Sequence, residues 1–182
     1  SLKADNVGEW AVDAKERRKR IVELLKQESP LTGSHLATVL GVTRQVIVSD
    51  IAVLRAGGET ILATPRGYAA VAEPLRRGVT KLVAVKHTPE KTRDELLTAV
   101  EMGIEVIDVI VDHPVYGQLT GQLSLSSKAD VISFLEIMEN TKAGLLSSLT
   151  DGVHLHTVRG RDTSHIARLE AALAKKAYLL TE

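Results

Sequence analysis

Apolar residues recur every three to four positions through the first third of the chain and alternate with polar ones through much of the rest. Residues 14–27 (AKERRKRIVELLKQ) carry Ile21, Leu24 and Leu25 at i, i+3 and i+4, which predicts an amphipathic helix with Asp13 as N-cap and Ser29-Pro30 as its stop. Thr32-Gly33-Ser34 opens a short second helix ending at Leu40, and Gly41 supplies a turn where left-handed backbone costs least. Thr43 caps a third helix to about Arg55, with Ile47, Ile51 and Leu54 inward and Arg44, Gln45, Val48 and Ser49 outward. After Gly57-Gly58, the segments 61–64 and 68–71 flank Pro65-Arg66-Gly67 as a two-stranded hairpin. Past Pro74–Gly78 the period changes. Strands are predicted at 81–86, 104–111, 119–125 and 153–158, and helices from Thr88-Pro89 to Met102, at 128–140 and at 163–176, with an apolar tail at 177–180. The order βαββαβα predicts an α+β fold in which helices cover one sheet. The expected division is 1–73, a linker at 74–78, and 79–182.

The first part has the pattern of a winged helix-turn-helix. A DNA major groove accepts one helix, whose amino-terminal residues meet base edges. The candidate DNA-binding residues are therefore Thr43, Arg44, Gln45 and Ser49. Arg66 at the wing tip is placed for phosphate or the minor groove. Arg44 suits guanine and Gln45 suits adenine. Asp50 is read as a partner for a nearby basic residue rather than a base reader, and His35 as a surface residue. The phrases LTGSHLATVLGVTRQVI and SDIAVLRAGG, followed by the wing, resemble the helix-turn-helix of biotin-repressor-type bacterial regulators, which implies a prokaryotic transcription factor.

Composition narrows the picture. The 182 residues have no net charge, 44% apolar and 3% aromatic content, and no cysteine, which excludes disulfides, thiolate chemistry and cysteine-based metal sites. No apolar run approaches the roughly 18 residues of a membrane span, and no signal peptide opens the chain. The expectation is a cytoplasmic protein with no membrane partner. Residues 1–75 hold ten Lys/Arg against nine Asp/Glu. Electrostatics therefore supports DNA binding less than the apolar pattern does.

Five of the six histidines fall after residue 78. His154 and His156 stand at i and i+2 on a predicted strand and share a face. His87 ends another strand, and Glu95 lies on the helix that follows it. Three imidazoles and a carboxylate suit a divalent transition metal: Zn, Ni, Mn or Fe. A polar strand face with no metal is the other reading of the same residues. His165 is read as a surface residue. Arg159-Gly160-Arg161 superficially matches a biotin-ligase loop but stands too near the chain's end for such a domain to follow.

The phrases AVKHTPEKTRDELLTAVEMG, VIDVIVDHPVYGQLTGQL and DGVHLHTV resemble the three-histidine domain of NiaR-type niacin-responsive repressors. The resemblance implies nicotinic acid as co-repressor, repression of NAD-biosynthesis or niacin-uptake genes at operator double-stranded DNA, and an HPr-like domain that forms a homodimer. It also implies a metal held by His87, Glu95, His154 and His156. His113 and Tyr116, within the resembling HPVYG, are candidate effector contacts. Arg159 or Tyr116 would face the nicotinate carboxylate if the ring nitrogen joined the metal. Two alternatives stand beside this reading: a repressor for which the metal itself is the signal, and a metalloenzyme fused to a DNA-binding domain.

Overall fold

The computed structural model describes residues 13–70 and 78–181, in two units that divide at Pro74/Leu75. The expected linker lies outside the described residues, Gly78 excepted. Among the described residues no single helix is long and apolar enough to cross a membrane.

In the first unit, α1 (Ala14–Gln27), α2 (Gly33–Leu40) and α3 (Arg44–Ala56) are each opened by a side chain that accepts a backbone N–H: Asp13, Thr32 and Thr43. Each such cap stabilises its helix by roughly 1 kcal/mol. Gly41 takes φ +65°, and α2 and α3 meet at 103° across that turn, within the range of a helix-turn-helix. Ile21, Leu25, Leu36, Ile47 and Ile51 form the core at 0–1% exposure. Strands β1 (Ile61–Thr64) and β2 (Gly67–Ala70) pair antiparallel, with Thr64 opposite Gly67. The turn is thus Pro65-Arg66 alone, one residue tighter than the sequence pattern predicts. Leu31 bridges to Tyr68 and ties the wing to the start of α2.

The second unit is α+β. Its strands β3 (Val79–Lys86), β4 (Glu105–His113), β5 (Gly117–Leu125) and β6 (Val153–Gly160) form one antiparallel sheet in the order β3-β6-β4-β5. Helices α4 (Thr92–Glu101), α5 (Lys128–Thr141) and α6 (Thr163–Lys175) complete it. Val83, Val85, Leu96, Ile104, Val106, Leu125, Val158, Ile166 and Leu169 make its core. The helix expected from Thr88-Pro89 begins instead as a 3₁₀ turn, Pro89–Lys91, before α4. The apolar tail adds a short bridge along β3: Val85 pairs with Leu179, and the Lys86 N–H donates to the Tyr178 carbonyl at 2.8 Å.

Candidate metal centre and nucleic-acid interface

Register brings the histidines together. β3 and β6 run antiparallel with Val85 opposite His154 and Val83 opposite His156, so His87, one residue past β3, meets the start of β6. Alternation along β6 buries His154, His156 and Val158 on the helix face. Glu95 lies in the first turn of α4, on the same inward face as Leu96, Ala99 and Val100.

All three imidazoles converge on that carboxylate. His87 Nε2 lies 2.6 Å from Glu95 Oε2, His154 Nε2 3.5 Å from the same oxygen, and His156 Nε2 3.3 Å from Oε1. Ligand atoms of His87, Glu95 and His154 fall within 4.8 Å of one another. The four side chains are 2–8% exposed.

The other ring nitrogens decide what this cluster can do. Each Nδ1 faces a backbone carbonyl: Thr88 for His87 at 2.8 Å, Gly152 for His154 at 2.9 Å, and Asp108 for His156 at 2.6 Å. A carbonyl only accepts, so each Nδ1 carries the proton and donates it. In the neutral rings every Nε2 is then an acceptor facing an acceptor carboxylate, and the contacts are favourable only with a cation between them, a proton or a metal. Burial opposes charge on His87 and His156, but the hydrogen bonds and field of Glu95 outweigh it and raise both pKa values. Burial likewise opposes ionisation of Glu95, and the field of His156 with hydrogen bonds from the three rings holds its pKa well below the usual carboxylate value. His87, His154 and Glu95 fit a divalent transition metal, while His156 faces the other carboxylate oxygen and falls outside that group, and carbonyls on the remote nitrogens are the partners that such ligands use.

Two backbone devices hold the rings. A register shift on β4 beyond Val106 brings the Asp108 carbonyl to His156, while its carboxylate accepts the Thr157 N–H at 2.9 Å. Gly152 takes φ +84°, and a Cβ there would collide with the His87 carbonyl. Only glycine passes. Tyr178 packs against His87 at 5.2 Å between ring centroids and donates its hydroxyl to Asp94 at 2.8 Å. Tyr178 and Asp94 carry no motif, and sequence reasoning missed them.

The three expected effector contacts lie elsewhere. His113 and Tyr116 sit at the β4–β5 hairpin tip, where the His113 ring accepts the N–H groups of Val115 and Tyr116. Among the described residues nothing bonds them to the histidine cluster. Arg159 is corrected: alternation along β6 puts it on the opposite face from His154 and His156, paired with Glu105 at 2.6 Å. It cannot meet a ligand beside them within one subunit. His165 is also corrected. It is buried, its Nδ1 accepting the Arg161 N–H and its Nε2 donating to the Met102 carbonyl at 2.6 Å.

In the first unit, Arg44 and Gln45 are exposed at the start of α3, with no side-chain hydrogen bond among the described residues. Thr43 spends its hydroxyl on the Val46 N–H and Ser49 bonds the Gln45 carbonyl, so both serve the helix backbone. Arg66 is exposed on the wing turn. Asp50 is 4% exposed and paired with Arg17 at 2.5 Å and Arg18 at 3.2 Å, which fixes α3 against α1. His35 is exposed.

A helix-turn-helix with a wing, joined to a unit that buries three histidines around a carboxylate, defines a DNA-binding regulator with a second, histidine-bearing unit. Residues 17–69 match the HTH domain family and residues 80–182 the 3H domain family. The chain is 46% identical to the probable transcription repressor NiaR of Thermotoga maritima, over 92% of this chain and 95% of that protein. It is 39% identical to the transcription repressor NadR of Bacillus subtilis, over 91% and 94% respectively. The chain belongs to the 3H-domain transcription repressors, the family of NiaR and NadR. These relatives are repressors, not enzymes, which sets the metalloenzyme reading aside.

Proposed function

We propose that this repressor acts in the cytoplasm on genes of NAD biosynthesis or niacin uptake, binding operator DNA as a homodimer with nicotinic acid as co-repressor and a divalent metal on His87, Glu95, His154 and His156. One observation carries the metal: three Nε2 acceptors facing one buried carboxylate. The metal would supply positive charge that holds the β3 end, β6 and α4 to one centre. Arg44 and Gln45 read bases, and Arg66 contacts the backbone or minor groove.

A two-fold dimer reads half-sites about 10 bp apart or a multiple of it. A co-repressor shifts the DNA-competent geometry only by its differential affinity, on the order of 1–3 kcal/mol, so operator binding tightens roughly five- to a hundredfold with nicotinate. Mobility-shift titrations with and without nicotinate test this, and unchanged affinity removes the co-repressor. The near-complete burial of all four ligands supports a second reading, in which the metal itself is the signal. Metal added alone to stripped protein separates the two: full operator affinity without nicotinate supports the second.

A further inference from the structure

At the C-terminal end of β3 a cleft of about 560 Å³ opens between two loops. One wall is Lys86 to Pro89, and the other includes Ser148 and Gly152. Its size suits a small ligand. These are the loops whose carbonyls orient the cluster: Thr88 holds His87 and Gly152 holds His154. The two walls are joined where the His87 N–H donates to the Gly152 carbonyl at 3.4 Å. The His87 side chain is only 2% exposed, so it offers main chain to the cleft and turns its ring inward. A ligand here leans on the supports of two imidazoles without entering the buried centre.

Charge indicates the kind of ligand. Lys81 is engaged by Glu170 and Lys176 by Asp94. Lys86 is exposed, lines the cleft and has no ion pair among the described residues, although Asp151 lines the same cleft. Ser148 adds a hydroxyl on the facing wall, and Pro89 an apolar surface.

We infer that this cleft binds a small planar aromatic monocarboxylate, with the Lys86 ammonium donating to the carboxylate, the ring against Pro89, and the Ser148 hydroxyl donating to a ring nitrogen. The inference rests on the niacin reading above and adds to it the site and the residue that separates nicotinate from uncharged nicotinamide. It also places the carboxylate contact on Lys86 rather than Arg159 or Tyr116. Because the cleft loops support His87 and His154, ligand and metal each tighten the other's binding.

The test is calorimetric titration of nicotinate and nicotinamide into the full chain loaded with Co(II), as wild type, Lys86→Gln, Ser148→Ala and the control Lys81→Gln. The expected result is nicotinate binding by wild type and Lys81→Gln. In Lys86→Gln, nicotinate weakens about 10- to 100-fold, the worth of a charge-assisted hydrogen bond, and the preference over nicotinamide disappears. Unchanged Co(II) absorption before ligand shows that the variant keeps its metal centre. Ser148→Ala weakens both ligands and keeps the preference. Wild-type affinity and preference in Lys86→Gln overturn the cleft assignment while leaving the niacin reading in place. Failure of wild type to bind nicotinate overturns the niacin reading, and the cleft assignment with it.

Discussion

Asp50 in the DNA-reading unit and Glu95 in the second unit are buried almost equally, at 4% and 3% exposure, yet they are neutralised in opposite ways. Asp50 meets the guanidiniums of Arg17 and Arg18. A guanidinium cannot lose its proton in a protein, so the cationic side of this clamp between helices is permanent. Glu95 meets three imidazoles that are charged only when protonated. Its counter-charge is exchangeable: protons can supply it, and so can a metal. The permanent pair sits where a recognition helix must hold one pose. The exchangeable one sits in the histidine cluster of the second unit.

His154→Ala or Glu95→Gln weakens metal binding on the order of 100- to 1000-fold, one ligand's share of the ~10–16 kcal/mol that a four-ligand zinc site supplies. Competition with a chelator measures it, and the first unit's helices remain folded. Asp50→Asn breaks the clamp and costs about 2–3 kcal/mol of stability in the first unit. That is less than the ~3–5 kcal/mol of a fully buried pair, because both arginines keep some water. Urea unfolding reads this loss, which is the same with and without metal.

The raised pKa values of His87 and His156 mean that their contribution is complete below the ordinary value of 6.5 and fades as pH rises through the raised values. The lowered pKa of Glu95 gives a contribution present above 4.5 and lost as pH falls. Metal-free protein is therefore most stable between those limits, and the second unit weakens as pH rises above 6.5 until metal is added. Melting curves in chelator from pH 5 to 8.5 check this, and a flat profile counts against it. Smaller effects belong to DNA contacts. Arg44→Ala costs about 1–3 kcal/mol and relaxes one operator position, while Arg66→Ala lowers the salt slope by about one.

The elements were legible because their apolar residues repeat at helical or strand spacing, as in Ile47, Ile51 and Leu54 of α3. The β6 pair His154 and His156 was legible for the same reason. Alternation also shows that Arg159 faces the other way, a signal present in the sequence and passed over. What local pattern does not carry is which strands pair. The β3–β6 register delivers His87 to His154, and the tail that brings Tyr178 over His87 depends on a bridge to β3. His165 is buried because its ring nitrogens meet Arg161 and Met102, and Met102 is 63 residues away in sequence.

The niacin reading requires the exchangeable charge of the second unit to control operator binding by the first. Operator affinity of the 182-residue chain, metal-stripped and metal-reloaded, with and without nicotinate, tests this. The expected result is that nicotinate tightens binding roughly five- to a hundredfold in reloaded protein, and far less in stripped protein or in His154→Ala. Equal affinity in all of these states contradicts it.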